Sequence, residues 1–249
     1  VEHFSSFDGT DIAYLDVGRG EVVILLHGFA SDHRGNWVAP GVTEALVRAG
    51  RRVIAPDARG HGRSGRPHDP AAYADGAMVR DVSALADHVG AERFDLAGYS
   101  MGALSAASVT LGDPRVRSLV LGGVGANWEG DQRPRHSEEV AAALEAEDPS
   151  SVTDPVGRAF RAFADSSGAD RLALAALQRS ARGPRAELGR LAVPTLVLTG
   201  ERDTLVGPPG PLAERIPGAR FRVLAGTHLS AVADPVFTSA LVEFVTAAR

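Results

Sequence analysis

Phe94-Asp95-Leu96-Ala97-Gly98-Tyr99-Ser100-Met101-Gly102-Ala103-Leu104 is the stretch that decides how this chain folds. Phe94 to Ala97 is strand-like and Met101 to Leu111 is helix-like, with the pattern G-x-S-x-G at Gly98 to Gly102 between them. A serine at such a strand-to-helix turn sits on a sharp, strained bend that lifts its hydroxyl clear of the backbone. Glycines on both sides let the strand and the helix approach closely. The helix that starts there also directs backbone N–H groups at any negative charge developing nearby. The bare pattern arises by chance in chains this rich in glycine, so its weight comes from its placement. That placement makes Ser100 the candidate nucleophile.

Outward from the elbow, strands and helices alternate. Val22 to Leu26 is a continuous apolar run, as expected of a strand buried on both faces of a parallel sheet. A helical stretch from Trp37 to Ala49 precedes a strand from Arg52 to Ala55, and a helix from Met78 to Val89 leads into Phe94. Beyond the elbow helix come strands at Val116 to Leu121, Thr195 to Thr199 and Phe221 to Leu224, then a last helix from about Pro235 to Ala247. At the start, Val1 to Val17 reads as two strands joined by a tight turn at Asp8-Gly9. This alternation argues for βαβ units and an α/β, doubly wound sheet.

Residues 125–189 break the rhythm with helical patterns and no credible strand. Ser137 is placed to cap a helix whose first turn carries Glu138 and Glu139. Asp154-Pro155 is an N-cap followed by proline at the first helical position. Val156, Ala159, Phe160 and Phe163 then recur at i, i+3, i+4 and i+7 as one apolar stripe. Leu172, Leu174 and Leu177 mark a third helix. An all-helical insert between sheet strands reads as a cap (residues 125–189) over a core made of residues 1–124 and 190–249.

Composition narrows the chemistry. The 249 residues fit one α/β domain, and 44% hydrophobic with 23% charged residues is ordinary globular composition. A net charge of −5 offers no basic footprint for nucleic acid or an anionic membrane. No apolar run is long enough to cross a bilayer, and the start lacks a signal-peptide pattern. A cytoplasmic location is therefore expected, although a start at Val1 leaves a trimmed leader open. There is no cysteine, which removes disulfides, thiolate metal sites and a cysteine nucleophile. All 26 basic residues are arginine, so Schiff-base and Walker-type lysines are absent too.

A serine hydroxyl is a weak nucleophile and needs an imidazole to take its proton, with a carboxylate to fix the tautomer. His228, in Gly226-Thr227-His228, follows a predicted strand; so does Asp203, in Gly200-Glu201-Arg202-Asp203. Residues just past parallel strands collect at one sheet edge, in the chain order serine, acid, histidine. Glu201 and Asp131 remain alternative acids. His27-Gly28-Phe29 follows the apolar strand, so the backbone N–H groups of Phe29 and Met101 are the candidate oxyanion donors. The His27 imidazole is read as a brace for that loop. Gly60-His61-Gly62-Arg63-Ser64-Gly65 spells a dinucleotide fingerprint, but Pro67 and Pro70 follow it where a helix would have to begin.

Together His27-Gly28-Phe29, Pro56 to Ser64, Gly98 to Gly102, Gly200 to Asp203 and Gly226 to His228 resemble the α/β-hydrolase superfamily over essentially the whole chain. The resemblance implies a mostly parallel eight-stranded sheet, a helical cap after the sixth strand and no cofactor. It also implies that Asp57 to Ser64 is a structural turn shaping the site. Epoxide hydrolases and haloalkane dehalogenases of this superfamily carry aspartate where this chain has Ser100, which turns the expectation away from those chemistries.

The expected reaction is acyl transfer from a small-molecule carboxylic ester or lactone, with Ser100 attacking and His228 moving the proton. Trp128, Phe160, Phe163 and Phe29 are candidate walls of an apolar acyl pocket. The rivals are a carbon–carbon bond hydrolase, a thioesterase, a perhydrolase, and a triad-bearing small-molecule receptor with slow turnover. The sequence leaves oligomeric state open.

Overall fold

The computed structural model describes residues 1–128, 137–180 and 186–247. Strands β1 (Glu2–Ser5) and β2 (Asp11–Gly18) form an antiparallel hairpin, and β3 (Glu21–Leu26) follows. The tight turn expected at Asp8-Gly9 is a three-residue loop from Phe7 to Gly9. The Ser6 N–H donates to the Thr10 carbonyl at 2.8 Å, and Gly9 takes a left-handed φ of 87°. Such a three-residue loop with a left-handed glycine is the next commonest hairpin connection.

After β3 come α1 (Val42–Arg48), β4 (Arg51–Pro56), α2 (Ala77–His88), β5 (Phe94–Tyr99), α3 (Met101–Gly112) and β6 (Val116–Gly122). The expected helix from Trp37 to Ala49 is broken. A π-turn spans Arg34–Val38, and α1 begins only at Val42. Pro40 has no N–H to give, and Gly41 is left-handed at φ 82°, so the chain restarts rather than continues. Helices α4 (Ser137–Glu145), α5 (Pro155–Ser167) and α6 (Arg171–Arg179) lie between β6 and β7 (Thr195–Gly200). The short α7 (Gly210–Ala213), β8 (Arg220–Leu224) and α8 (Pro235–Ala247) close the fold.

All eight strands form one sheet in the order β1-β2-β4-β3-β5-β6-β7-β8, parallel from β4 through β8. Strand period 2 sorts the central side chains between two cores. Val22, Ile24 and Leu26 pack with Val82 and Leu85 of α2 and Ala103, Ala106 and Ala107 of α3. Val23 and Leu25 point the other way, onto Leu46 of α1 and Phe237, Leu241 and Phe244 of α8.

The inserted helices pack Val140, Ala141, Leu144, Ala164, Leu174 and Ala175 into a small core that they share with Ala30 of the loop after β3. Asp154 caps α5 by accepting from Gly157 N–H at 2.7 Å, with Pro155 next to it, as the sequence indicates. The buried face of α5 differs from the expected stripe: Ala159 is exposed, while Gly157, Arg161 and Ala164 are buried, with Phe160 half-buried between them. The spacing is the expected one moved along the helix. Arg161 explains the move, since its guanidinium donates to the carbonyls of Ala143 and Ala146 at 3.1 and 2.6 Å. A charge can be buried there because it caps the last carbonyls of α4. Leu172 is also exposed, leaving Leu174 and Leu177 as the inward leucines of α6.

Candidate active site

The elbow between β5 and α3 is strained in the way its sequence requires. Ser100 has φ 52° and ψ −113°, outside the ordinary range for a residue with a side chain. Its N–H is held by the Gly122 carbonyl at 2.8 Å, and its own carbonyl accepts the Ala103 amide at 2.9 Å. A Cβ at Gly98 would overlap the carbonyl oxygen of Gly102, and one at Gly102 would overlap that of Leu26. Both glycines are therefore steric necessities of the strand–helix approach.

β7 and β8 end beside this elbow, and each delivers one polar side chain to it. His228 Nε2 lies 3.0 Å from Ser100 Oγ, and His228 Nδ1 lies 2.8 Å from Asp203 Oδ2. A carboxylate oxygen accepts, so with Nδ1 donating to Asp203 the Nε2 lone pair faces the serine hydroxyl. The other Asp203 oxygen accepts the amides of Leu205 and Val206 at 3.2 and 3.3 Å, which fixes the carboxylate in its loop. Asp203 is buried, whereas Glu201 is exposed beside Arg202. Asp131 lies outside the described residues. One contact went unread in the sequence: Tyr99 OH donates to the His228 carbonyl at 2.7 Å, tying the histidine loop to the elbow.

The loop after β3 supplies the opposite wall. The Gly28 carbonyl accepts from His27 Nδ1 at 2.8 Å and from the Ser31 amide at 3.2 Å. The Gly28 amide donates to Asn36 Oδ1 at 2.9 Å. His27 Nε2 accepts from the Ala58 amide at 2.9 Å, so the ring is locked as the Nδ1–H tautomer. Burial lowers the His27 pKa against the pull of Asp57, keeping the imidazole neutral. Neither the Phe29 nor the Met101 N–H has a partner among the described residues. The Met101 amide is one of the first-turn donors that an α-helix leaves free.

Asp57 to Ser64 forms a tight loop around a buried carboxylate. Asp57 Oδ1 accepts from the His33 amide and ring at 2.9 and 2.8 Å, and Oδ2 from the Arg63 amide at 2.8 Å. Burial raises the Asp57 pKa, but these hydrogen bonds outweigh it and bring it down to about 2. A Cβ at Gly62 would fall on that carboxylate, and one at Gly60 would crowd the Tyr73 hydroxyl. The G-x-G-x-x-G spelling thus encloses an internal anion rather than a pyrophosphate. His61 is buried; desolvation and the nearby His27 push its pKa down to about 3.

The expected aromatic wall assembles only in part. The Phe29 ring meets Phe160 of α5 edge-on at 5.6 Å and His61 at 5.9 Å. Phe163 packs against the core of the inserted helices. Trp128 does not join them: it is buried in the core that contains Val124, Leu191 and Leu212, and its carbonyl accepts from Arg215. Among the described residues, no group of three His, Cys, Asp or Glu is arranged to hold a metal. None of their helices is long and apolar enough to cross a membrane.

An eight-stranded sheet with a strained serine elbow and a histidine–aspartate pair at its carboxyl edge defines a class, and the chain belongs to the α/β-hydrolase family. The family's sequence model, described as alpha/beta hydrolase fold, matches residues 21–163. A 2-hydroxy-6-oxononadienedioate/2-hydroxy-6-oxononatrienedioate hydrolase of Paraburkholderia xenovorans is 32% identical over 225 residues, 78% of this chain and 74% of that one. Epoxide hydrolase 3 of Siraitia grosvenorii is 34% identical over 122 residues, so the match spans 48% of this chain and only 38% of that relative. Among solved structures, a thermophilic esterase from Thermogutta terrifontis superposes with a TM-score of 0.79 at 28% identity, covering 99% of this chain and 98% of that one.

Proposed function

We propose that this chain is a serine hydrolase cleaving a carboxylic ester or lactone of a small, partly apolar substrate through an acyl-enzyme. The observation that carries the reading is the unbroken chain Asp203–His228–Ser100, with links of 2.8 and 3.0 Å. Ser100 Oγ attacks the carbonyl carbon as its proton passes to His228 Nε2. The resulting oxyanion rests on the N–H groups of Phe29 and Met101. His228 then protonates the leaving oxygen, and water deprotonated by the same imidazole releases the acid. Asp203 stabilises the imidazolium that forms between these steps. In this reading residues 125–189 are a cap on a core of residues 1–124 and 190–249. Phe29, Phe160 and Phe163 give the cleft its apolar wall.

Chemistry separates this reading from the epoxide-opening relatives. A serine that opened an epoxide would be left as an ether, which offers no carbonyl for water to attack. A serine acylated by an ester does offer one. A second reading, hydrolysis of a carbon–carbon bond beside a ketone, is favoured by the relative of that type that matches 78% of the chain. Turnover of p-nitrophenyl acetate, butyrate and octanoate by wild type and Ser100→Ala decides. Multiple turnovers that vanish in Ser100→Ala support the ester reading. Equal weak rates in both proteins would remove it and send the search to vinylogous diketone substrates.

A further inference from the structure

Ser100 and His228 stand at the ends of strands that are not neighbours. β5 ends in the elbow, β8 leads into the histidine loop, and β6 and β7 lie between them in the sheet. The loops after β7 and β8 hold each other. The Glu201 amide donates to the Leu224 carbonyl at 2.7 Å, and the Arg202 amide to that of Gly226 at 3.0 Å. Asp203 and His228 therefore sit on one body and Ser100 on another. Among the described residues, two hydrogen bonds join elbow residues 99–101 to that body, and both end on His228. One is the contact of Ser100 Oγ with His228 Nε2 itself. The other runs from the Tyr99 hydroxyl to the His228 carbonyl.

Tyr99 is built into that span. Its ring lies against the end of β6, where a Cβ on Gly122 or Gly123 would stand 2.8 Å from a ring carbon. Phe237 of α8 meets the ring edge-on at 5.9 Å, and the His228 imidazole lies 5.8 Å from it. Burial, with the charge of Asp203 second, pushes the Tyr99 phenol above its ordinary range, so the hydroxyl keeps the proton it donates. Among the described residues no backbone–backbone hydrogen bond reaches the main chain of His228, which leaves the Tyr99 hydroxyl as its holder.

Reaction geometry makes that hold consequential, because misplacing a reacting atom by about 1 Å costs on the order of 100-fold in rate. We propose that Tyr99 is a positioning residue whose side chain sets the reach of His228 to Ser100. The proposal rests on the serine-nucleophile reading above and adds the spacer that its proton transfer needs.

Tyr99→Phe tests it, since the ring stays in its cradle and only the tether is lost. With p-nitrophenyl butyrate, kcat should fall about 10- to 30-fold. His228 serves both acylation and deacylation, so the two slow together and KM should stay within about twofold. Adding Tyr99→Phe to His228→Ala should leave the residual rate within about twofold, because the hydroxyl acts through the imidazole. An unchanged kcat in Tyr99→Phe, or a loss repeated in full without the imidazole, overturns the proposal. Should wild type cleave no ester, the ester reading fails, and crystal structures of wild type and Tyr99→Phe then judge the tether alone. An imidazole drawn away from Ser100 in the variant supports it, and one unmoved at 3.0 Å overturns it.

Discussion

His27 Nδ1 stands 2.8 Å from the Gly28 carbonyl oxygen, at the far end of the peptide whose N–H belongs to Phe29. In a trans peptide the two groups point opposite ways, so a donor on the carbonyl both orients and polarises the amide. The histidine read from sequence as a loop brace is in this account a positioning residue for an oxyanion donor. His27→Phe should lower kcat about 10- to 100-fold with little change in KM, somewhat less than deletion of a donor itself. His27→Asn, which keeps a side-chain donor, should recover part of the loss. A rise in KM at constant kcat would show that the ring only shapes substrate binding.

Asp203 and His228 predict a sharper effect. Asp203→Asn keeps the shape of the side chain but presents an amide to Nδ1, which favours the wrong tautomer; kcat should fall about 10⁴-fold. Glu201→Gln should leave kcat within about twofold, because Glu201 is exposed and paired with Arg202. Steady-state kinetics on one activated ester checks both, and a comparable loss in Glu201→Gln would reassign the acid.

The two buried neutral imidazoles set the response to acid. Their folded-state pKa values lie below the ordinary 6.5, with His61 at about 3. Between 6.5 and the folded value the unfolded chain binds the extra proton, so stability is full above pH 6.5 and falls as pH drops. Asp57, lowered from 3.8 to about 2, adds its loss only below about pH 4. Urea midpoints should therefore begin to drop before Asp57 titrates. His61→Phe should reduce the slope between pH 6 and 4 by about 1 kcal/mol per pH unit. A slope unchanged in that variant would contradict a neutral, buried His61.

The glycines divide into two kinds, and substitution should tell them apart. Gly98→Ala and Gly102→Ala drive a methyl into backbone oxygens and should destabilise by more than about 3 kcal/mol or prevent folding. Gly41→Ala meets open space and suffers only its left-handed φ, which costs about 1 kcal/mol. Thermal melts of the three variants provide the comparison.

Much of the fold was legible because strand and helix periods differ and because glycine and proline punctuate them. The continuous apolar run of β3 and the elbow at Ser100 are both purely local signals. The first helix failed at a local signal, since Pro40-Gly41 breaks an otherwise helical stretch, whereas in α5 a neighbour overrode the pattern: the need of α4 for a cation at its end drew Arg161 inward. Long-range partnerships beyond Ser100, Asp203 and His228 left no trace to read. Nothing in the sequence announces that His33 will hold Asp57, that Tyr99 will hold the backbone of His228, or that Trp128 will pack away from Phe29.

The most direct test of the central claim is mass spectrometry of wild type quenched in acid during turnover of p-nitrophenyl butyrate. The account predicts a butyryl group on the peptide containing Ser100, and no adduct in Ser100→Ala. Ester hydrolysis with no acylated intermediate, or with the acyl group on another residue, would contradict it.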